Sequence, residues 1–378
     1  MINKYSLMKE YFKSSRSSLI VRDGITMHKE DELLLDKIIK FIEDNIDDES
    51  MNPDSLADFI GVSKAGLYRK LKELTEKTPS EFVRTIRLEQ FPNSIWVEIE
   101  TDENLTGLGE AWRGTAAIET IIHHDICPWL IGQDSRNIEL ISRTLLTPYV
   151  GFHSASAEIR AASAIDIALW DLAGKRHGIP VYEALGGASR SSIQVYNTCS
   201  GYSFNASSSA YNSGTSRRMI TDKDEMRGPY DDQVAFTRDA GALAKSLLSE
   251  GYKIMKIWPF DPFAAKTQGN WISAEDLEAG LKPFQLIRDA VGNKTEIMCE
   301  LHSLWSTPAA LRICKALEPY DIFWAEDPLC KMDDIQQIKE LRSKTRTPIC
   351  GSETLAGAVT FRQMFAAGAF DYAMLDLG

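Results

Sequence analysis

This chain has no CxxC spacing: its six cysteines, Cys127, Cys199, Cys299, Cys314, Cys330 and Cys350, are scattered, mostly inside apolar runs such as IMCEL and PICGSE. That excludes a dense disulfide framework and reads as buried thiols in a reducing compartment. Long hydrophobic runs are missing as well. Nothing approaches the ~20 apolar residues of a membrane span, and the amino-terminal MINKYSLMKEYFKSS lacks the apolar core of a secretion signal. The expectation is a cytoplasmic protein with no membrane partner. Positive charge is in deficit, with a net charge of -12, so a surface that coats nucleic acid generally is excluded, while a small basic module within the chain is not. What the chain does have is apolar material: 44% hydrophobic residues over 378 positions suffice for a large core shared among two or three domains.

Residues 1–30 form an N-terminal segment of their own, and residues 31–89 read as all-helical. Leu33, Leu34, Ile38, Ile42 and Ile46 recur at helical spacing, and helix starts are signposted by Asp54-Ser55, Ser63 and Pro79-Ser80. Two short helices, 55–60 and 64–74, flank Gly61, the usual turn residue of a helix-turn-helix. The second carries Lys64, Arg69, Lys70 and Lys72 with Tyr68 among them, a pattern suited to a major groove with its cations on phosphates. The stretch LADFIGVSKAGLYRKLKELTEKTPSEFVRTIRLE resembles the DNA-binding region of AraC-type regulators. That family joins two such units by a linker helix, which here reads as 80–88, and only the first unit is present. The resemblance implies DNA contact through Lys64, Tyr68, Arg69, Lys70 and Lys72, weak in sequence preference because few side chains are left to read bases. A small helical bundle with a solvated basic face is the other reading.

Near residue 91 the pattern changes. SIWVEIETDENLTGLGEAW alternates like a hairpin, and SAEIRAASAIDIALWDLAGKRHG is an amphipathic helix whose Ile165, Ala168, Leu169 and Leu172 share one face. Residues 91–190 therefore read as an α+β domain. From residue 191 to 378 short apolar strands alternate with amphipathic helices: IQVYNTC, YKIMKIW, EIMCEL, DIFWAED, PICGSE and YAMLDL are six strand candidates. Alternation at that spacing means βα units and a parallel sheet. The long polar stretch SFNASSSAYNSGTSRRMITDKDEMRGPYDDQ after the first strand is either a lid or disordered.

Three consecutive strands end in an acid: Glu300, Glu326 and Glu353, one every 26 or 27 residues, close to a βα repeat of ~30. Neighbouring parallel strands ending at equal height would gather these carboxylates at one point, where uncompensated charge would force a proton onto at least one. A hard divalent ion satisfies all three with oxygen ligands, and Mg²⁺ is the expected cofactor. Lys256 and Trp258 share one side of their strand by the two-residue period, placing Lys256 beside Glu300. His302 follows Glu300 by two residues, which suits a general acid. A histidine that merely hydrogen-bonds its loop is the alternative.

With GYKIMKIWPFD, ELHSLW, WAEDPL and GSETLAG in order, residues 91–378 resemble the mandelate racemase and muconate-lactonizing group of the enolase superfamily, most closely its acid-sugar dehydratases. The resemblance implies an α/β fold: an α+β capping domain before a modified (β/α)₈ barrel, here incomplete with six strands. It assigns Mg²⁺ to Glu300, Glu326 and Glu353, a substrate-binding place to Trp258 where the family often has a second catalytic lysine, and catalytic places to Lys256, His302 and Asp376. Asp376 matches an aspartate that in related dehydratases orients a histidine on the seventh strand, a position beyond Gly378. The expectation is a hydro-lyase by ancestry, acting on a sugar acid, with little or no turnover from this chain alone. A DNA-binding regulator that senses sugar acids through an enzyme-derived domain, and a non-functional fusion fragment, are the competing readings. Exposed sheet edges also leave a homo-oligomer open.

Overall fold

The computed structural model of this chain describes residues 19–22, 25–28, parts of 33–41, 53–63, 83–88, 91–101, 103–147, 156–202 and 224–377. A small antiparallel hairpin, β1 (Leu19–Arg22) with β2 (Ile25–His28), comes first, followed by helical residues among the described parts of 33–41 and by a helix, α1 (Pro53–Ile60). That helix falls where the first helix of the expected pair was read. The second, with Lys64, Tyr68, Arg69, Lys70 and Lys72, lies outside the described residues, as does most of the long polar stretch after residue 202.

The expected linker helix over 80–88 is not a helix. Val83–Leu88 is a strand, β3, which pairs antiparallel with β4 (Phe91–Glu100), and β4 pairs with β5 (Thr106–Trp112). Val83 and Ile86 have helical spacing, but Val83 is buried opposite Ile99 while Ile86 stays exposed. Their β-branched side chains, with Thr85 opposite Val97, suit a pleated edge. The all-helical reading of 31–89 is corrected here, since the sheet begins before residue 91.

Ile95, Val97 and Ile99 project from one face of β4 into a core shared with α2 (Thr115–Thr120), α3 (Ile138–Leu146) and the long helix α4 (Ala157–His177). Helix α4 lies directly on β5. A Cβ added at Gly109 would sit 1.9 Å from the Ala164 carbonyl oxygen, and one at Gly107 would sit 2.1 Å from that of Ala168. Only glycine admits so close an approach. Asp171 on α4 fixes the register by accepting from the Leu108 N–H at 2.8 Å. The helix ends where Gly178 turns left-handed and the Ile179 N–H reaches the Gly174 carbonyl.

The second sheet is parallel. Five strands follow chain order from one edge to the other: β6 (Ile254–Ile257), β7 (Glu296–Glu300), β8 (Trp324–Glu326), β9 (Ile349–Gly351) and β10 (Tyr372–Ala373). Of the six strands expected, IQVYNTC contributes a single parallel bridge, Asn197 to Met255, beside β6. Ile193 and Val195 before it remain exposed, so no longer ladder forms. On the sheet's helix side, Met255, Ile257, Ile297, Cys299, Ala325 and Ile349 pack with α5 (Asp232–Ser249), α7 (Ala274–Val291), α8 (Thr307–Leu317) and α9 (Ile335–Ser343), where α6 (Asp261–Thr267) lies between β6 and α7. After β9 comes α10 (Ala358–Ala367). The opposite face carries a smaller cluster of Ile254, Met298, Trp324 and Cys350. Two residues further along the same strands, and so on the same face, stand Lys256, Glu300 and Glu326.

Candidate active site

Register brings two of the predicted acids together. Glu300 is the Cα partner of Glu326 on the next strand, and Met298 that of Lys256, which places the lysine just below the pair. Lys256 Nζ donates to Glu300 Oε2 at 3.0 Å and to Glu326 Oε1 at 2.6 Å. The remaining oxygens are also fixed: Glu300 Oε1 accepts from the His302 N–H at 2.8 Å, and Glu326 Oε2 accepts from the Trp324 indole at 3.0 Å. All three charged groups are buried. One lysine against two carboxylates leaves a surplus negative charge. Accordingly burial and the neighbouring Glu300 push the Glu326 carboxyl up to about 8, against the pull of Lys256. Burial works against the Lys256 charge, but the two glutamates outweigh it and hold its pKa well above that of an ordinary lysine.

His302 and Ser303 take left-handed backbone angles after Glu300, as Asp327 does after Glu326. Non-glycine residues in that region mark loops whose shape is imposed by their surroundings. The His302 ring meets Asp261 at 2.7 Å through Nδ1 and lies edge-on to Trp258 at 5.3 Å. Burial opposes its protonation, yet Asp261 and Glu300 raise it to about 9, so it carries a proton at neutral pH. Trp258 is buried and also meets Phe236 edge-on.

Glu353 and Asp376 are engaged differently. Glu353 accepts from Arg113 Nη2, at the end of β5 in the other sheet. Asp376 accepts from the Trp112 indole and pairs with Arg160 at 3.6 Å. The three glutamates therefore do not close around one point: Glu300 and Glu326 share Lys256, while Glu353 turns to Arg113. Among the described residues, no three His, Cys, Asp or Glu side chains stand together as a group able to hold a metal ion. The donor chemistry nonetheless fits a hard cation. The acids are oxygen donors with a buried surplus of negative charge, and beside them Asp327 has an oxygen without a hydrogen-bond partner and, mainly through burial, a carboxyl pushed up to about 7.

Sequence reasoning missed Asp261, Arg113, Arg160 and Trp112. Asp261 ends the motif GYKIMKIWPFD and opens α6, so its place near the Lys256 strand was readable. The capping residues carry no local signal; they lie more than 200 positions from the acids they meet.

Residues 69–186 match the family described as the mandelate racemase / muconate lactonizing enzyme N-terminal domain, and residues 239–378 match the enolase C-terminal domain-like family. The first match takes in Arg69, Lys70 and Lys72. A crystal structure of an enolase protein from the environmental genome shotgun sequencing of the Sargasso Sea aligns at 51% identity with a TM-score of 0.65, covering 78% of this chain and 70% of that one. A D-galactonate dehydratase of Ralstonia nicotianae is 28% identical over 76% of this chain, and a D-mannonate dehydratase of Rhizorhabdus wittichii is 28% identical over 69%. The chain spans 65% and 61% of the lengths of those two relatives.

Proposed function

The chain belongs to the mandelate racemase/muconate-lactonizing group of the enolase superfamily, and from that membership we propose that it binds a sugar acid and Mg²⁺ for α-proton removal followed by β-elimination of water. D-Galactonate and D-mannonate, the acids named for two relatives, are the first candidates. Glu300, Glu326 and Glu353 would hold the metal. A divalent ion bound there supplies Lewis-acid polarisation of the substrate carboxylate. Lys256, already buried between two carboxylates, is the cation placed to hold the acid group of the substrate. His302, held at Nδ1 by Asp261, is the proton donor to the departing β-hydroxyl. Trp258, packed on the imidazole, fixes the ring and lines the substrate side.

The observation that carries this reading is the buried surplus charge of Glu300 and Glu326 against a single lysine. A proton or a divalent ion can relieve it, and only the ion leaves both carboxylates ionised. The test is thermal unfolding of the full chain with Mg²⁺ and then with D-galactonate or D-mannonate added. The expected result is a rise in Tm with Mg²⁺, about 2.7 kcal/mol of stabilisation at a hundredfold excess over Kd, and a second rise with the fitting sugar acid. Glu326→Gln should lose both. Wild-type protein indifferent to Mg²⁺ would remove the basis of the proposal.

A further inference from the structure

Glu353 differs from its two companions in having a cation from the other sheet. That cation is unusually well fixed. Arg113 directly follows β5 in a turn where it and Gly114 are both left-handed, at φ 64° and 69°. Its backbone N–H donates to the Asn93 carbonyl at 2.9 Å. Its guanidinium lies over the Trp112 ring, 4.1 Å from the centroid, and Nη2 donates to Glu353 Oε1. Backbone, aromatic face and carboxylate thus hold one charge at the boundary between the capping sheet and the parallel sheet. The pair is part-exposed, Arg113 at 39% and Glu353 at 21%, so exchange with an ion from solvent is open to it, unlike the Lys256 cluster.

We propose that Arg113 is the resident counter-ion of Glu353 and competes with a divalent cation for that carboxylate, so that metal loading loosens a contact between the capping sheet and the barrel strands. The inference rests on the reading of Glu300, Glu326 and Glu353 as metal ligands. Its physical basis is repulsion: a guanidinium on one oxygen of Glu353 opposes a doubly charged ion on the other, and turning the carboxylate away from Arg113 breaks the charge-assisted bond. Arg160, which pairs with Asp376 at 3.6 Å, provides the control as a similar charge at the same boundary.

The experiment is calorimetric titration of the full chain with Mg²⁺ alone, comparing wild type with Arg113→Gln, Arg113→Lys, Arg160→Gln and Glu326→Gln. Arg113→Gln should bind Mg²⁺ roughly two- to fivefold more tightly, the scale of a part-exposed ion pair. Arg113→Lys keeps the charge without the planar fork and should fall between Gln and wild type, which keeps the question decidable if the glutamine variant misfolds. Arg160→Gln should stay near wild type. Wild type that binds Mg²⁺, with either Arg113 variant binding less tightly than it or with Arg113→Gln unchanged, overturns the competition and leaves the site reading in place. Equal tightening by Arg160→Gln also overturns it, in favour of a diffuse potential. Wild type and Glu326→Gln alike in binding no Mg²⁺ overturns both.

Discussion

Glu300 and Glu326 meet their cation inside one sheet, on Lys256 with a side chain 8% exposed, whereas Glu353 and Asp376 meet theirs across the boundary between two sheets, on Arg113 and Arg160 at 39% and 18%. The difference separates a permanent charge from an exchangeable one. In the sheet, neighbouring strands fix both partners and solvent cannot screen them, so breaking the pair strands a buried ion. At the boundary, water and salt compete with the arginines, and each contact counts for little in stability.

The sharpest way to break the comparison is to remove the in-sheet cation. Lys256→Met leaves two adjacent buried carboxyls with no counter-ion and should destabilise the protein by about 3–5 kcal/mol at neutral pH in urea unfolding. Without the lysine the Glu326 carboxyl moves further up in pKa, and a group raised in the folded state loses stability as pH rises through its folded pKa. The penalty should therefore grow as pH rises through about 8, where Glu326 ionises beside Lys256 in the wild type but has no cation in the variant. A loss below about 1 kcal/mol, in the range of an exposed pair, would show that the two arrangements do not differ in kind.

A second variant acts on the platform that carries the boundary contacts. Gly109 lies three residues before Trp112, and an added methyl would collide with the Ala164 carbonyl, a backbone atom that cannot step aside. Gly109→Ala should cost about 1–3 kcal/mol by forcing α4 off β5. Because Trp112 and Arg113 ride on that strand, the same change should disturb Glu353 and Asp376 while leaving the Lys256 cluster in register. An unfolding midpoint equal to wild type would place helix and strand further apart than described.

The same divide explains what the sequence disclosed. Lys256, Glu300 and Glu326 were legible because a strand repeats every two residues and consecutive parallel strands stand side by side: the period and the repeat length together fix who meets whom. Glu353 was expected to end the next strand level with the other acids, but β9 ends at Gly351 with Cys350 opposite Glu326, so Glu353 lies in the turn beyond it, and Arg113 reaches it there through the packing of one domain on another. His302 was placed correctly after Glu300, while Asp261, which sets its charge, comes from the loop after a different strand. The misreading of 80–88 had another cause. Pro79-Ser80 is a helix-start signal and Val83 and Ile86 keep helical spacing, but pairing along β4 decided the matter, as tertiary context does for short segments.

The smallest expected effect calibrates the exposed end of the scale. Asp371, just before β10, accepts from Arg342 through Nε at 2.9 Å and Nη2 at 2.5 Å, and from the Ile349 N–H at 2.9 Å. Burial alone would raise its pKa, but the guanidinium and the N–H outweigh that and hold it below the usual aspartate value. A depressed folded pKa contributes stability above the unfolded pKa and loses it as pH falls through the folded one. Asp371→Asn should thus cost about 0.5–1 kcal/mol, steady from pH 7 to 5 and fading below about 4. The Lys256→Met penalty moves in a higher window, at and above pH 8, because Glu326 titrates near 8 in the wild type. Measured side by side from about pH 3 to about pH 9, the two penalties should change in separate ranges. If both faded together below pH 4, Glu326 would be as easily ionised as a surface acid, and burial beside Glu300 would not be holding its pKa up.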